Sequence, residues 1–235
     1  MLNLGDLSRL KGYRFPRTVI GYAVWAYHRF VLSLRDVEDL LAERGVVVSY
    51  ETIRVWVAKF GTQLAAKIRR DRPDPSAKWH LDEVVLKING VKHWLWRAIN
   101  ANGDVLDILV QSRRDTSVAR RFMRKLFKRW GLPRVMVTGK LGSYSAAKAQ
   151  VAPCVEHRRH KGINNAAEAS HRHTRREKVM SRFMSPRQAQ RFLSVHDQTA
   201  PIFRSRRHRL SANSHHRARQ DAFDLWAAYT AEMSA

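Results

Sequence analysis

Residues 79–111 read WHLDEVVLKINGVKHWLWRAINANGDVLDILVQ, and their reading decides the fold. Apolar residues recur on either side of Asn89-Gly90, a dipeptide suited to the left-handed backbone of a two-residue hairpin turn. A strand over 79–88 therefore returns as a strand over 91–100. Asn102-Gly103 then turns the chain into a third strand over 105–111, which makes an antiparallel meander. Working downstream, residues 115–130 set Val118, Ala119, Phe122, Met123, Leu126 and Phe127 along one helical side, and Gly131-Leu132-Pro133 ends it. Residues 134–138 form a short apolar strand, 144–151 a weak helix and 154–158 a further strand. Asn164-Asn165 opens a long basic helix over 166–183, and helices over 187–199 and 220–232 follow.

Upstream the character is helical. Residues 18–30 carry Ile20, Val24 and Tyr27, with Val31 just beyond, at near-helical spacing. Ser33 with Asp36 starts a second helix as a capping box, with Leu34, Val37, Leu40 and Leu41 on one face and Gly45 as its left-handed stop. Ser49 caps a third helix holding Ile53, Trp56, Val57 and Phe60, which Gly61 is expected to end. Helix, short turn and basic helix form a helix-turn-helix pattern in which Arg54 and Lys59 can face DNA. The competing reading is an ordinary helical cap with a solvated face. KIRRDRPDPSAK, residues 67–78, is charged, holds two prolines and reads as a linker. The expected organisation is a helix-turn-helix region over 1–66, a linker over 67–78, a core over 79–200, and a basic tail with a terminal helix over 201–235. The fold class is α+β: three antiparallel strands followed by alternating helices and strands, the element order of the ribonuclease-H-like fold.

The 235 residues include 44 Lys and Arg against 20 acids, a formal net charge of +24. Such an excess of one sign destabilises a lone domain and fits a polyanionic partner, first of all double-stranded DNA. A membrane surface fits less well, because no basic amphipathic helix flanks an apolar anchor and no stretch approaches 18 uninterrupted apolar residues. Cys154 is the only cysteine, which excludes an internal disulfide framework and a thiolate zinc cluster. A cytoplasmic setting is expected.

Two acids stand out. Asp82 shares a strand face with Val84, Leu86 and Ile88, where an ionised carboxylate costs several kcal/mol unless a cation or donors compensate it. Metal ligation would supply that compensation, and so would an arginine or contact with water. Glu83 points to the opposite face and does not pair with Asp82. Glu168 falls at the third position of the long helix, where a capping-box glutamate belongs. His171 and Arg175 follow one and two turns on. That row suits a metal and a phosphate held together, and equally a surface salt bridge.

The stretches that carry these acids resemble a known family. Residues 79–111, PRVMVTGKLGSYSAAK (133–148), VEHRRHKGINNAAEASH (155–171) and SPRQAQRFLSVH (185–196) are similar to bacterial insertion-sequence transposases of the "insertion sequence six" family. GYAVWAYHRFVLSLRDVEDLLAERGVVVSYETIRVWVAKFG (21–61) resembles that family's helix-turn-helix region. The resemblance implies an Asp-Asp-Glu triad in which Asp82 is the first acid and Glu168 the last, both as catalytic residues and metal ligands. It places the basic residue two turns after the glutamate at Arg175. The family motif Val-Thr-Asp-Lys meets Val137-Thr138-Gly139-Lys140 here, so Gly139 stands where the second aspartate is expected. Ala166, Ala169 and His173 are smaller departures. In such transposases three carboxylates hold two divalent ions, normally magnesium, for in-line displacement at phosphorus. The resemblance therefore implies a DNA transposase that binds element ends as a homodimer or higher oligomer, and whose own activity is impaired. Further DNA contacts are expected from Arg54, Lys59, Lys140, Arg175 and Arg176.

Asp107, Asp115 and Glu156 are the acids that would have to substitute for the missing one. Cys154, His157, His160, His171 and His173 are spaced loosely like a zinc site but straddle different elements. The basic runs 204–209 and 215–219 read as an arm that touches phosphate or is merely solvated. Two other readings stay open: a catalytically silent DNA-binding protein that inhibits transposition, and a ribonuclease-H-type nuclease, for which the helix-turn-helix has no role.

Overall fold

A computed structural model describes residues 9–75, 77–139, 141–159, 183–204 and 210–234. The chain forms two compact units, Met1–Arg72 with Ser194–Ala235, and Pro73–Leu193.

The first unit holds α1 (Arg17–Phe30), α2 (Leu34–Ala42) and α3 (Tyr50–Arg70). Its sequence signals act where they were expected. Ser33 and Asp36 form both halves of the capping box, Gly45 takes a positive φ of 73°, and the Ser49 side chain accepts from the Thr52 amide. Gly61 does not end α3, which continues to Arg70 and takes in the first part of the stretch read as a linker. The glycine serves packing instead: a Cβ there would lie 3.0 Å from His28 Nε2. A short residue lets α3 approach α1.

Residues from the far end of the sequence complete this unit. The α7 helix (Ala212–Ala231), capped by Ser211, packs on α1 and α3. Trp226 is buried in the same cluster as Ile20, Val24, Ile53 and Phe60, and its indole N–H donates to the Gly21 carbonyl at 3.3 Å. Ser49 and Ser211 each cap a helix, but only α7's apolar side decides where that helix docks.

The second unit is built on a five-stranded sheet ordered β3-β2-β1-β4-β5. Its strands are β1 (Lys78–Ile88), β2 (Val91–Asn100), β3 (Val105–Gln111), β4 (Val135–Thr138) and β5 (Glu156–Arg159). Asn89 and Gly90 both adopt positive φ, as the hairpin turn requires. β1 to β3 are antiparallel, whereas β4 lies parallel to β1 and β5 parallel to β4. Between these strands come α4 (Thr116–Trp130) and α5 (Gly142–Val151), with Asp115 capping α4. Trp79, Leu81 and Trp96 pack with Phe122, Met123, Met136 and Tyr144 into one core. That strand order and those directions define a ribonuclease-H-like α+β domain. α6 (Pro186–Ile202) starts in this unit, where Gln190 accepts from the Val110 amide at 2.7 Å and covers part of the edge strand β3.

Candidate active site and DNA-binding surface

Asp82 lies at the middle of β1, the central strand. The pleat puts it on the face of Leu86 and Ile88, both buried, while Leu81 and Glu83 point to the helix-covered face. Two strands flank it. On one side Arg97 of β2 is its antiparallel partner, and Arg97 is 2% exposed. On the other side the parallel pairing runs up to Leu81 and Thr138, so the next step sets Gly139 beside Asp82. A carboxylate at 139 would share a face with Asp82. Gly139 supplies none, although a Cβ built there meets no atom within 4 Å and the backbone is outside the left-handed region.

The other acids are engaged elsewhere. Asp107 is buried on β3, accepts from the Ile108 amide and pairs with Lys125 at 2.9 Å. Asp115 accepts from the Val118 amide at the head of α4. Glu156 is exposed and pairs with Arg158 at 2.6 Å, which holds its carboxyl below the usual range. Register places none of them beside Asp82.

Glu83, which the strand period sets on the opposite face from Asp82, is an acid with a buried side chain. Its side chain is 5% exposed and forms an ion pair with Arg114, whose guanidinium also lies 4.5 Å from the Trp94 ring centroid. Burial raises the Glu83 carboxyl, against the lowering effect of Arg114 and of the Tyr144 hydroxyl. Burial and the neighbouring Glu83 in turn push Tyr144 well up. The signal available in the sequence was the wide spacing between Glu83 and Arg114, which only the meander closes.

His157 on β5 is hydrogen-bonded through Nε2 to the Thr138 hydroxyl at 2.9 Å, and burial lowers its pKa. Cys154 is exposed. Among the described residues no group of three or more His, Cys, Asp or Glu could hold a metal ion. Magnesium needs hard oxygen ligands. The described residues offer it one carboxylate, Asp82, with a guanidinium as cross-strand neighbour and no side chain at Gly139, so by themselves they do not fit a two-ion site. Glu168, Lys140, Arg175, Arg176, Ala166, Ala169, His160, His171 and His173 lie outside the described residues, as does the basic run from 205 to 209.

In the first unit, α3 presents Arg54, with a side chain 58% exposed and paired to Glu51 at 3.0 Å. Lys59 is half-buried, its ammonium 5.3 Å from the Tyr13 ring centroid. Val47 and Val55 are exposed at 84% and 56% and line one open surface with Arg14, Ser49 and Thr52. An exposed arginine on a helix that also exposes an apolar side chain can touch phosphate and a thymine methyl group alike.

A central-strand aspartate on a ribonuclease-H-like sheet, joined to a helical unit with a basic third helix, defines a class of DNA-processing domains. The DDE-domain family profile of the IS240-type transposases matches residues 76–206. The chain is 34% identical over 171 residues to the transposase for insertion sequence-like element IS431mec of Staphylococcus aureus, covering 71% of this chain and 76% of that protein. It is equally identical, with the same coverage, to the transposase for insertion sequence element IS257 in transposon Tn4003, also of Staphylococcus aureus. This chain belongs to the DDE-type transposases of the insertion sequence six family. Among solved structures it is similar to the catalytic core domain of BIV integrase, with a TM-score of 0.39 and 10% identity, covering 65% of this chain and 95% of that one. Among the described residues no helix is long and apolar enough to cross a membrane.

Proposed function

We propose that this chain binds the ends of a bacterial insertion sequence as double-stranded DNA, and that its own strand cleavage and transfer are impaired. The observation that carries the reading is Gly139, which follows the last β1–β4 pair and stands beside Asp82 without a side chain. Asp82 and Glu168 are the catalytic and metal-binding acids that remain, and two acids are a poor substitute for three around a pair of magnesium ions. Arg54, Lys59, Lys140, Arg175 and Arg176 bind the DNA, and the chain acts as a homodimer or higher oligomer on it in the bacterial cytoplasm. The net charge of +24 and the exposed Arg54 of α3 support the DNA partner.

What this chain's own residues do follows from their chemistry. Bound magnesium would supply activation of the attacking oxygen and relief of charge on phosphate. Asp82 presents one hard ligand from a rigid central strand. Arg97 is its cross-strand partner, and a cation at that register position would offset the carboxylate's charge in the absence of a third acid. That cross-strand cation also favours a second reading, a catalytically silent end-binding protein that inhibits transposition by active copies.

The test is strand cleavage and transfer on DNA carrying the element's ends, with magnesium and with manganese, comparing the unmodified chain with Gly139→Asp. Activity confined to Gly139→Asp supports the proposal. Robust cleavage by the unmodified chain that Asp82→Asn abolishes would falsify it.

A further inference from the structure

The helical unit carries a feature that neither end binding by α3 nor chemistry at Asp82 uses. Trp25 and Phe30 of α1, Phe203 just past the end of α6 and Phe223 of α7 wall an open cavity of about 220 Å³. That is below the roughly 300–1,000 Å³ of clefts that enclose a whole drug-sized ligand, so the hollow suits a single flat ring system. Trp25 is the hub, with its ring centroid 5.0 Å from Phe30, 5.4 Å from Phe223 and 5.7 Å from Phe203. These contacts are edge-on or tilted, so the rings line a hollow instead of closing it with stacked faces. Phe30 is 54% exposed and Phe223 38% exposed. Large apolar groups left open in this way mark contact sites more often than stray surface.

The rim is cationic. Arg29 and Arg219 line the same cavity, and among the described residues no acidic side chain does. Arg29 is held in place: its guanidinium donates to the Phe203 carbonyl at 3.4 Å and lies 5.6 Å from the Phe30 ring centroid. A purely apolar occupant would gain nothing from two guanidinium groups. A bare anion would gain nothing from four aromatic rings. A second copy of this chain, itself carrying +24, would bring like charge to a cationic rim. A nucleotide has both halves, a flat π-face and a phosphate. Bases inside a duplex keep their faces covered by stacking, so the base that fits is unpaired or turned out of the helix.

We propose that this pocket receives an unstacked nucleobase of a DNA strand, stacked against Phe30 and Phe223, with Arg29 and Arg219 on the flanking phosphates. It is separate from duplex binding by α3.

The experiment uses the full chain and fluorescence anisotropy with a labelled short oligothymidylate, an abasic strand of equal length and charge, and a duplex. The oligothymidylate is expected to bind about ten-fold more tightly than the abasic strand, the size of effect one stacked base gives. Phe30→Leu and Phe223→Leu, which keep apolar bulk but remove a ring, should each erase most of that preference and leave duplex affinity unchanged. Arg219→Gln should weaken both single strands alike. Equal binding of the thymidylate and abasic strands overturns the proposal, and so does a preference that survives both Leu substitutions. If the Leu variants instead lower the oligomeric state and leave the preference intact, the pocket is an interface between copies and the proposal fails. Loss of duplex binding alone would count against end binding through α3 and not against this pocket.

Discussion

Arg97 on β2 stands directly opposite Asp82 on β1, and the pair occupies the strand face that also carries Leu86 and Ile88. The register sets a basic residue across from the acid in this apolar row. This changes what removing the acid should do. From sequence alone, neutralising Asp82 would relieve an uncompensated charge. With Arg97 opposite and 2% exposed, neutralising Asp82 is expected to remove a counter-charge from the neighbourhood of that buried cation. Asp82→Asn is expected to leave the fold intact and to cost about 1 kcal/mol. A double-mutant cycle with Arg97→Met should give a coupling of roughly 0.5–3 kcal/mol. Urea unfolding of the four proteins measures it, and additive effects would show that the two side chains act independently.

Gly139→Asp is sterically free, since a Cβ there meets nothing within 4 Å. Its stability should stay within about 0.5 kcal/mol of the unmodified chain. Calorimetric titration should show tighter magnesium binding, and end cleavage should rise from background. Rescue is expected to be incomplete, because the resemblance to the family implies other residues where Ala166 and Ala169 stand. Unchanged metal affinity in a well-folded Gly139→Asp would remove the basis for calling position 139 the defect.

The α1–α7 contact is tight enough to test with one methyl group. A Cβ at Gly21 would lie 2.4 Å from Thr230 Cγ2. Gly21→Ala should therefore destabilise the helical unit by roughly 1–3 kcal/mol, the range for overpacking. Thr230→Ser removes Cγ2 and keeps the hydroxyl that donates to the Ala227 carbonyl, so it should recover most of the loss. The same packing predicts that residues 15–61 alone are poorly folded, because Trp226 belongs to their core. Circular dichroism of the fragment with and without residues 194–235 decides that point.

Acid should loosen this unit early. His28 is 2% exposed, and burial, with His196 as a lesser cause, depresses its pKa to about 3. The unfolded chain takes up a proton near 6.5 and the folded one does not until near 3, so stability is full above 6.5 and falls as pH drops through that window. By pH 5 the loss from this residue is about 2 kcal/mol. His28→Gln should flatten the dependence of unfolding on pH between 7 and 5 (about the span over which histidine ordinarily titrates). A slope unchanged by that substitution would assign it to other groups.

Glu51 holds Arg54 at 3.0 Å on the exposed side of α3. Arg54→Gln should weaken duplex binding and reduce the slope of affinity against salt by about one phosphate contact. Glu51→Gln frees the guanidinium and removes an acid, so it should strengthen binding at low salt. If both substitutions leave duplex affinity unchanged, α3 does not face the DNA.

Local chemistry made much of this protein legible in advance. Asn89-Gly90 demanded positive φ whatever surrounded it, so the hairpin and the strands on either side followed. Ser33 with Asp36 made its capping box within four residues, and the period of two along β1 separated Asp82 from Glu83. The resemblance to the family's motifs pointed to position 139 as the place where a second acid is expected. Relations between distant residues were set only by the tertiary structure. Gly61 looked like a helix stop and became the close approach of α3 to His28, because packing against another helix outweighs a weak local preference. The stretch 212–231 looked like part of a tail and became a wall of the first unit, since its apolar side needed a partner nearly two hundred residues earlier in the chain. Arg97 opposite Asp82, Arg114 on Glu83 and Trp25 among three phenylalanines depend on strand register and helix docking. Both join residues through space, and periodicity along the sequence does not encode them.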